Sequence, residues 1–323
     1  MSDLTVHGLV FAAGLAAVTL GADWLVRGGS RLAGQLGLPP LVIGLTVVAF
    51  GTSAPELVVS GGAAIRAEPG LALGNVMGST VANVGLIVGL GALLRPIDVH
   101  RRLIVRESPL LVLVLAIVVA LSWNDALGRL DGLALVTGFA IYLFFLIRWG
   151  LGDDSAHPPR PDPEAPSGGG APRDAPGSVL PDVGLVLAGL AGLLLGAHFV
   201  LESAVGIARI YDVPQAVIGA TVVAVGTSLP ELASTVAAAV RGLGDIAIGN
   251  IVGSNVFNLG FVLGTAALLR PLQLPPTAVA KMVAPAMCFS ILLIPLAYTR
   301  MRVDRWEGLL LLLGYAGFLY WVF

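Results

Sequence analysis

Long apolar runs recur along the chain, broken at short intervals by charged residues, glycine or proline. Each is about 20 residues, enough for a helix to cross a bilayer core of roughly 30 Å. The pattern predicts ten spans, at 4–26, 40–65, 71–94, 103–122, 127–149, 180–203, 214–240, 246–269, 277–299 and 305–323. Only Leu151 to Val179 departs from it, reading LGDDSAHPPRPDPEAPSGGGAPRDAPGSV. So little apolar area cannot offset the entropy of ordering a chain, so residues 150–179 are expected to form a disordered linker. It separates two five-span units, 1–149 and 180–323. The first run has Asp3 ahead of it and Arg27 and Arg31 behind. A signal peptide carries basic residues before its apolar core, so this run reads as a retained span with its N-terminus outside.

The two units repeat each other. IGLTVVAFGTSAPEL from Ile43 and IGATVVAVGTSLPEL from Ile218 agree at twelve of fifteen positions, at an offset of 175. The same offset aligns GNVMGSTVANVGLIVGLGALLRP from Gly74 with GNIVGSNVFNLGFVLGTAALLRP from Gly249. Apolar low complexity would match Leu, Val and Ala; it would not match Thr, Ser, Pro, Glu and Asn. Five is an odd number, so the second unit enters the membrane from the opposite side, giving inverted-topology repeats. Segments after spans 1, 3, 5, 7 and 9 hold thirteen arginines, against five basic residues on the other side. The positive-inside rule then puts the linker in the cytoplasm and both termini outside.

Composition agrees with this reading. The chain is 56% hydrophobic and 12% charged, against about 25% charged in soluble domains. The expected fold class is an all-α polytopic membrane protein of ten transmembrane helices in two inverted five-helix repeats, located in the cell membrane. A net charge of −2 gives no reason to expect a nucleic-acid partner. The single cysteine, Cys288, cannot form an internal disulfide and reads as a small buried apolar residue.

Two residues contradict the apolar pattern. Glu56 and Glu231 sit well inside spans 2 and 7 at matched repeat positions. A charged residue near mid-bilayer costs roughly 2.5–3.5 kcal/mol even on the lenient insertion scale. No arginine or lysine lies within spans 2, 3, 7 or 8 to pair with either. Each closes a broken-helix sequence, GTSAPE or GTSLPE. The proline removes a backbone donor and the glycine loosens the same turn. Irregular backbone at this depth is tolerated where it lines a cavity or is buried in protein. Freed carbonyls, the hydroxyls of Thr52, Ser53, Thr227 and Ser228, and the two carboxylates are all hard oxygen ligands.

Spans 3 and 8 supply the complement. Asn75, Ser79 and Asn83 recur every four residues and share a helix face, as do Asn250, Ser254 and Asn258. The amides and hydroxyls read as ligands or their supports. Gly74, Gly78, Gly249 and Gly253 read as close helix contacts. Calcium takes about 6–8 oxygens in irregular geometry. Zinc and copper prefer Cys and His, and His198 is the one histidine well inside a span. A site of charge −2 is neutralised by one calcium or by two sodium ions, which gives exchange a physical basis. Nearer the span ends, Asp23 and Arg27, and likewise His198 and Glu202, are one helical turn apart and read as surface anchors.

The paired motifs GTSAPEL with GNVMGSTVAN, and GTSLPEL with GNIVGSNVFN, resemble the two alpha-repeats of the sodium/calcium exchanger family, within the calcium/cation antiporter superfamily. The resemblance covers both repeats. It implies a secondary antiporter exchanging calcium for sodium by alternating access, with spans 1 and 6 sliding across a more rigid core. It also implies a metal site of Glu56 and Glu231 helped by Thr52, Ser53, Ser79, Asn83, Thr227, Ser228, Ser254 and Asn258. No cofactor is expected, and the partners are calcium, sodium and the bilayer. Repeat symmetry allows a monomer to hold the whole pathway. The linker has no room for calcium-sensing domains. Some relatives carry Asp where this chain has Asn83 or Asn258, which leaves a potassium-dependent or calcium/proton exchanger as the alternative. An enzyme is not expected, since no protease-like spacing of His, Ser or Asp is present.

Overall fold

The computed structural model describes residues 3–122, 125–151, 179–212, 224–273, 277 and 279–322. Most of the expected linker and the start of expected span 7 lie outside these residues. The helices are α1 Asp3–Leu36, α2 Pro40–Thr52, α3 Ala54–Ile65, α4 Pro69–Leu94, α5 Leu103–Leu121, α6 Arg129–Gly150, α7 Leu180–Ile210, α8 Ala224–Thr227, α9 Leu229–Val240, α10 Gly244–Leu269, α11 Lys281–Tyr298 and α12 Arg305–Val322. Among the described residues, seven helices are long and apolar enough to cross a membrane, or eight if α2 and α3 form one bent span. The fold is helical and polytopic, as the apolar pattern predicts.

Two helices outrun their expected spans. α1 continues past Val26, the expected limit, to Leu36, and α7 continues to Ile210 rather than ending at 203. Charge ends an apolar run but does not end a helix. α1 stops where Gly37 adopts φ +64°, with Leu38 N–H donating to the Ala33 carbonyl at 2.9 Å. That closes the terminal carbonyls in a Schellman arrangement that favours glycine.

Glycines set the closest helix contacts. Gly14, Gly21 and Gly28 of α1 recur every seven residues, and meet Gly196, Gly189 and the backbone of Val186 of α7 respectively. A Cβ on Gly21 would lie 2.5 Å from the Leu193 nitrogen, and one on Gly189 would lie 2.5 Å from the Leu25 nitrogen. Small residues allow such backbone approach, the means by which helices associate without a hydrophobic drive. Gly132 with Gly264 joins α6 to α10, and Gly89 with Gly308 joins α4 to α12.

Four two-residue strands tie the connecting segments. β1 Ile97–Asp98 pairs antiparallel with β4 Arg302–Val303, matching Ile97 to Val303. β2 Ala126–Leu127 pairs with β3 Leu272–Gln273, matching Leu127 to Leu272. Each pair takes one strand from each unit. At the same end as β1, the Arg95 guanidinium donates to the Val240 carbonyl at 2.5 Å.

α10 is the most enclosed element: all its first fourteen residues except Asp245 are buried. Gly249 and Gly253 approach the backbone of Leu41 and Leu45 in α2, as expected of them. Gly74 and Gly78 meet no described atom within 4 Å. By the offset of 175, the repeat counterparts of Leu41 and Leu45 are positions 216 and 220, which lie outside the described residues. Cys288 corrects the sequence reading. It is exposed, because the buried face of α11 runs through Ala286, Phe289, Ser290 and Leu293 and leaves position 288 outside.

Candidate cation site

The site is built on two breaks. α2 and α3 meet at Ser53 with a 49° bend. Ser53 has φ −86° and ψ 10°, and Ser228, between α8 and α9, has φ −88° and ψ 8°. Pro55 and Pro230 then open the following helices, where a missing N–H costs nothing. Glu56 and Glu231 therefore stand in the first turn of α3 and α9. The unpaired N–H groups there favour a carboxylate.

Both carboxylates are fully enclosed, with Glu56 0% and Glu231 1% exposed. They are close enough for Glu56 to feel the charge of Glu231. Neither serine at the breaks caps its helix. The Ser53 hydroxyl instead donates to Glu231 Oε1 across the unit boundary at 2.9 Å. Thr52 also interacts with Glu231, and its hydroxyl donates to Asn250 Oδ1 at 3.1 Å. Ser79 interacts with Glu56, although neither Glu56 oxygen makes a well-aligned hydrogen bond to any described group.

α4 and α10 carry the rest. Asn83 and Asn258 each open a π-helical stretch, Asn83–Val88 and Asn258–Val262. Such widened turns recur at functional sites because they re-aim side chains and loosen the backbone ladder. Ser254 donates to the Ala49 carbonyl at 3.4 Å, and Asn258 is fully buried with neither amide atom bonded among the described residues. Ser228 is buried with its hydroxyl unbonded, and Thr227 is half-buried at the end of α8.

The buried oxygens without a hydrogen-bond partner are instructive. Among the described residues they include Glu56 Oε1 and Oε2, Glu231 Oε2, Asn83 Oδ1, Asn258 Oδ1 and Ser228 Oγ. These six of the eight such oxygens belong to expected site residues; the remaining two, Ser108 Oγ and Ser290 Oγ, do not. A buried acceptor without a donor costs about 1–3 kcal/mol, and more when charged. No described Arg or Lys forms an ion pair with either glutamate. An oxygen-rich set of this kind suits a hard cation. Among the described residues no group of three or more His, Cys, Asp or Glu forms a metal-binding cluster; the oxygen set here rests on two carboxylates plus neutral groups.

Asn75 and Asn250 have a different part. Asn75 Nδ2 donates to Ser60 Oγ at 2.9 Å and to the Glu56 carbonyl at 3.3 Å. Asn250 Nδ2 donates to Ser234 Oγ and Thr235 Oγ1, each at 3.0 Å. Both amides brace the glutamate helices. Sequence reasoning missed Asn255, which accepts from Asn83 Nδ2 at 2.8 Å. It falls outside the four-residue spacing that picked out its neighbours, and its repeat counterpart is Thr80, so neither signal marked it.

A family model described as sodium/calcium exchanger protein matches residues 6–148 and 182–323. The chain belongs to the sodium/calcium exchanger family. The match stops on either side of the Pro- and Gly-rich stretch and resumes at α7. Among relatives of this exchanger, the sodium/calcium exchanger MaX1 of Methanosarcina acetivorans is 33% identical over 98% of both chains. The inner membrane protein YrbG of Escherichia coli is 35% identical over 96% of this chain and 95% of its own. Among solved structures, the sodium-calcium exchanger NCX_Mj superposes with a TM-score of 0.82 at 32% identity, over 97% of both chains. Members of this family are ion antiporters, not enzymes, and need no cofactor.

Proposed function

We propose that this exchanger moves calcium against sodium through a central site formed by Glu56, Glu231 and the neutral oxygens around them. The observation that carries the reading is that, among the described residues, six of the eight buried side-chain oxygens without a hydrogen-bond partner belong to these residues and come from both units. A pair of carboxylates with four or more neutral oxygens satisfies one calcium or a pair of sodium ions, whereas the empty site holds two facing charges. Both loaded forms can then change state while the empty form is held back. NCX_Mj has been studied for extracellular ion exchange and induced binding-site occlusion, with Na+ and Sr2+ among the ions used.

Alternating access on inverted repeats accounts for the architecture. The pairing of β1 with β4 brings together the segments after expected spans 3 and 9. Arg95 with Val240 adds the end of span 7 to the same side. The pairing of β2 with β3 brings together the segments after spans 4 and 8. Ten crossings in two inverted units require this grouping of odd with odd and even with even. The glycine contact of α1 with α7 makes spans 1 and 6 one unit able to slide over the remaining helices. Arginine bias supports a cytoplasmic linker and odd-numbered segments, with both termini outside. The membrane units are 1–149 and 180–323, joined by 150–179.

The test is radiolabelled calcium uptake into proteoliposomes loaded with sodium and diluted into sodium-free buffer at constant pH. Uptake that needs internal sodium and disappears in Glu56→Gln supports the reading. Uptake driven by a pH gradient and indifferent to sodium overturns the sodium coupling. Normal sodium-driven flux in a folded Glu56→Gln or Glu231→Gln overturns the site.

A further inference from the structure

We infer that Asn255 is a positioning residue, which fixes the Asn83 amide with its oxygen turned toward the cation. The inference rests on the proposed cation site and adds a residue to its control. An asparagine side chain ends in an oxygen and an NH2 group of similar size, and only the oxygen can bind a cation. The amide torsion is broad and roughly two-fold, so an unbonded amide presents either end.

The amides along α4 and α10 are not treated alike. Asn75 and Asn250 spend their NH2 groups on the glutamate helices. Asn83 and Asn258 remain for the ion. Asn83 Nδ2 is taken by Asn255 Oδ1 at 2.8 Å, which leaves Asn83 Oδ1 a buried acceptor with no partner among the described residues. Asn255 Nδ2 has no partner there either, so Asn255→Asp, whose carboxylate can only accept, tests the direction of this bond. Among the described residues, Asn258 has neither atom bonded. The repeat explains the difference. Position 255 corresponds to Thr80, whose hydroxyl is turned back to the Val76 carbonyl of its own helix at 2.9 Å. Thr80 therefore offers Asn258 no counterpart to the bond that Asn255 gives Asn83. The brace also crosses between units, because Asn83 lies on α4 and Asn255, 0% exposed, lies on α10. Two residues that look equivalent in sequence thus differ in what holds them: Asn83 is bonded by Asn255, and Asn258 has no such bond among the described residues.

The test compares calcium KM and maximal rate in proteoliposomes for Asn255→Ala in two backgrounds. In the parent chain, losing the brace should raise calcium KM roughly tenfold while the maximal rate changes less than about twofold. In the Asn83→Asp background the same substitution should change KM less than about twofold, because a carboxylate presents oxygen either way round. Asn255→Asp keeps an acceptor for Asn83 and should hold KM within about threefold of the parent. An equal rise in both backgrounds would mean that Asn255 acts through packing alone, and no rise in the parent would remove it from the site; either overturns the role. Glu56→Gln is measured alongside: if its exchange is lost while Asn255→Ala is silent, only the positioning role falls. If Glu56→Gln exchanges normally, the site itself falls.

Discussion

Gly21 tests how α1 and α7 are held together. A methyl group there would sit 2.5 Å from the Leu193 nitrogen, 2.7 Å from the Gly189 carbonyl oxygen and 2.8 Å from the Gly192 carbonyl carbon. All three are backbone atoms, so no side chain can swing aside. Ordinary contact begins near 3.4 Å, so α1 and α7 must part by nearly 1 Å where their glycines now mesh. Overpacking of this kind costs about 1–3 kcal/mol. Gly8 lies on the same helix and meets nothing described within 4 Å. Gly8→Ala should gain up to about 1 kcal/mol from helix propensity alone. That gain is common to both variants, chemically the same change on one helix, so they should differ by the overpacking cost alone, about 1–3 kcal/mol. At about 2–4 °C per kcal/mol, Gly21→Ala should melt several degrees below Gly8→Ala. Thermal denaturation of the detergent-solubilised protein, followed by size-exclusion fluorescence, measures this directly. A Gly21→Ala melting temperature equal to or above that of Gly8→Ala would refute the close-contact reasoning.

Other substitutions probe separate features. Ser53→Ala removes the 2.9 Å bond to Glu231 and should weaken apparent cation affinity by roughly tenfold, read as calcium KM in proteoliposomes. Glu107 is buried, bonded by Tyr142 at 3.0 Å and paired with Arg102 at 3.4 Å. Glu107→Ala should lower stability by about 3 kcal/mol in a detergent melt while leaving calcium KM in the folded fraction near the parent value. Deleting residues 160–169 should leave sodium-driven uptake intact, since loop-closure entropy changes only slowly with length; loss of flux with normal membrane insertion would give the linker a further role.

Most of the architecture was readable in the sequence because lipid imposes a simple rule on helices. Long apolar runs located the helices, and the matched GTSxPE motifs located both breaks. Lengths were less legible. Residues 27–36 of α1 are too polar to count as a span yet stay helical to Gly37. The outward turn of Cys288 depends on which neighbours α11 meets, a tertiary fact. Within the site, the motif serine Ser53 bonds the glutamate of the other repeat, and buried oxygens of Glu56, Asn83, Ser228, Glu231 and Asn258 have no hydrogen-bond partner among the described residues. Asn255 was missed because repetition hides what the repeats do differently. Asp23 was read as pairing along its own helix, and does so with Arg27 at 2.8 Å, but it also meets Arg241 at the end of α9. Helical spacing can suggest the first pairing but carries no information about the second.

The crossing of bonds between units has a consequence for biosynthesis. Ser53 and the Glu231 that accepts its hydrogen bond are 178 residues apart. At about 5–20 residues per second, the ribosome needs roughly 10–35 s to make the intervening chain. During that interval the first unit rests in the bilayer with Glu56 exposed on a broken helix, and with β1 and β2 lacking their partners. Within this chain it can then rely only on contacts inside its own unit, such as the Asn75 bonds to Ser60 and the Glu56 carbonyl. The nascent half is therefore where quality control would find this protein most vulnerable, and slow translation across residues 150–230 would prolong that exposure.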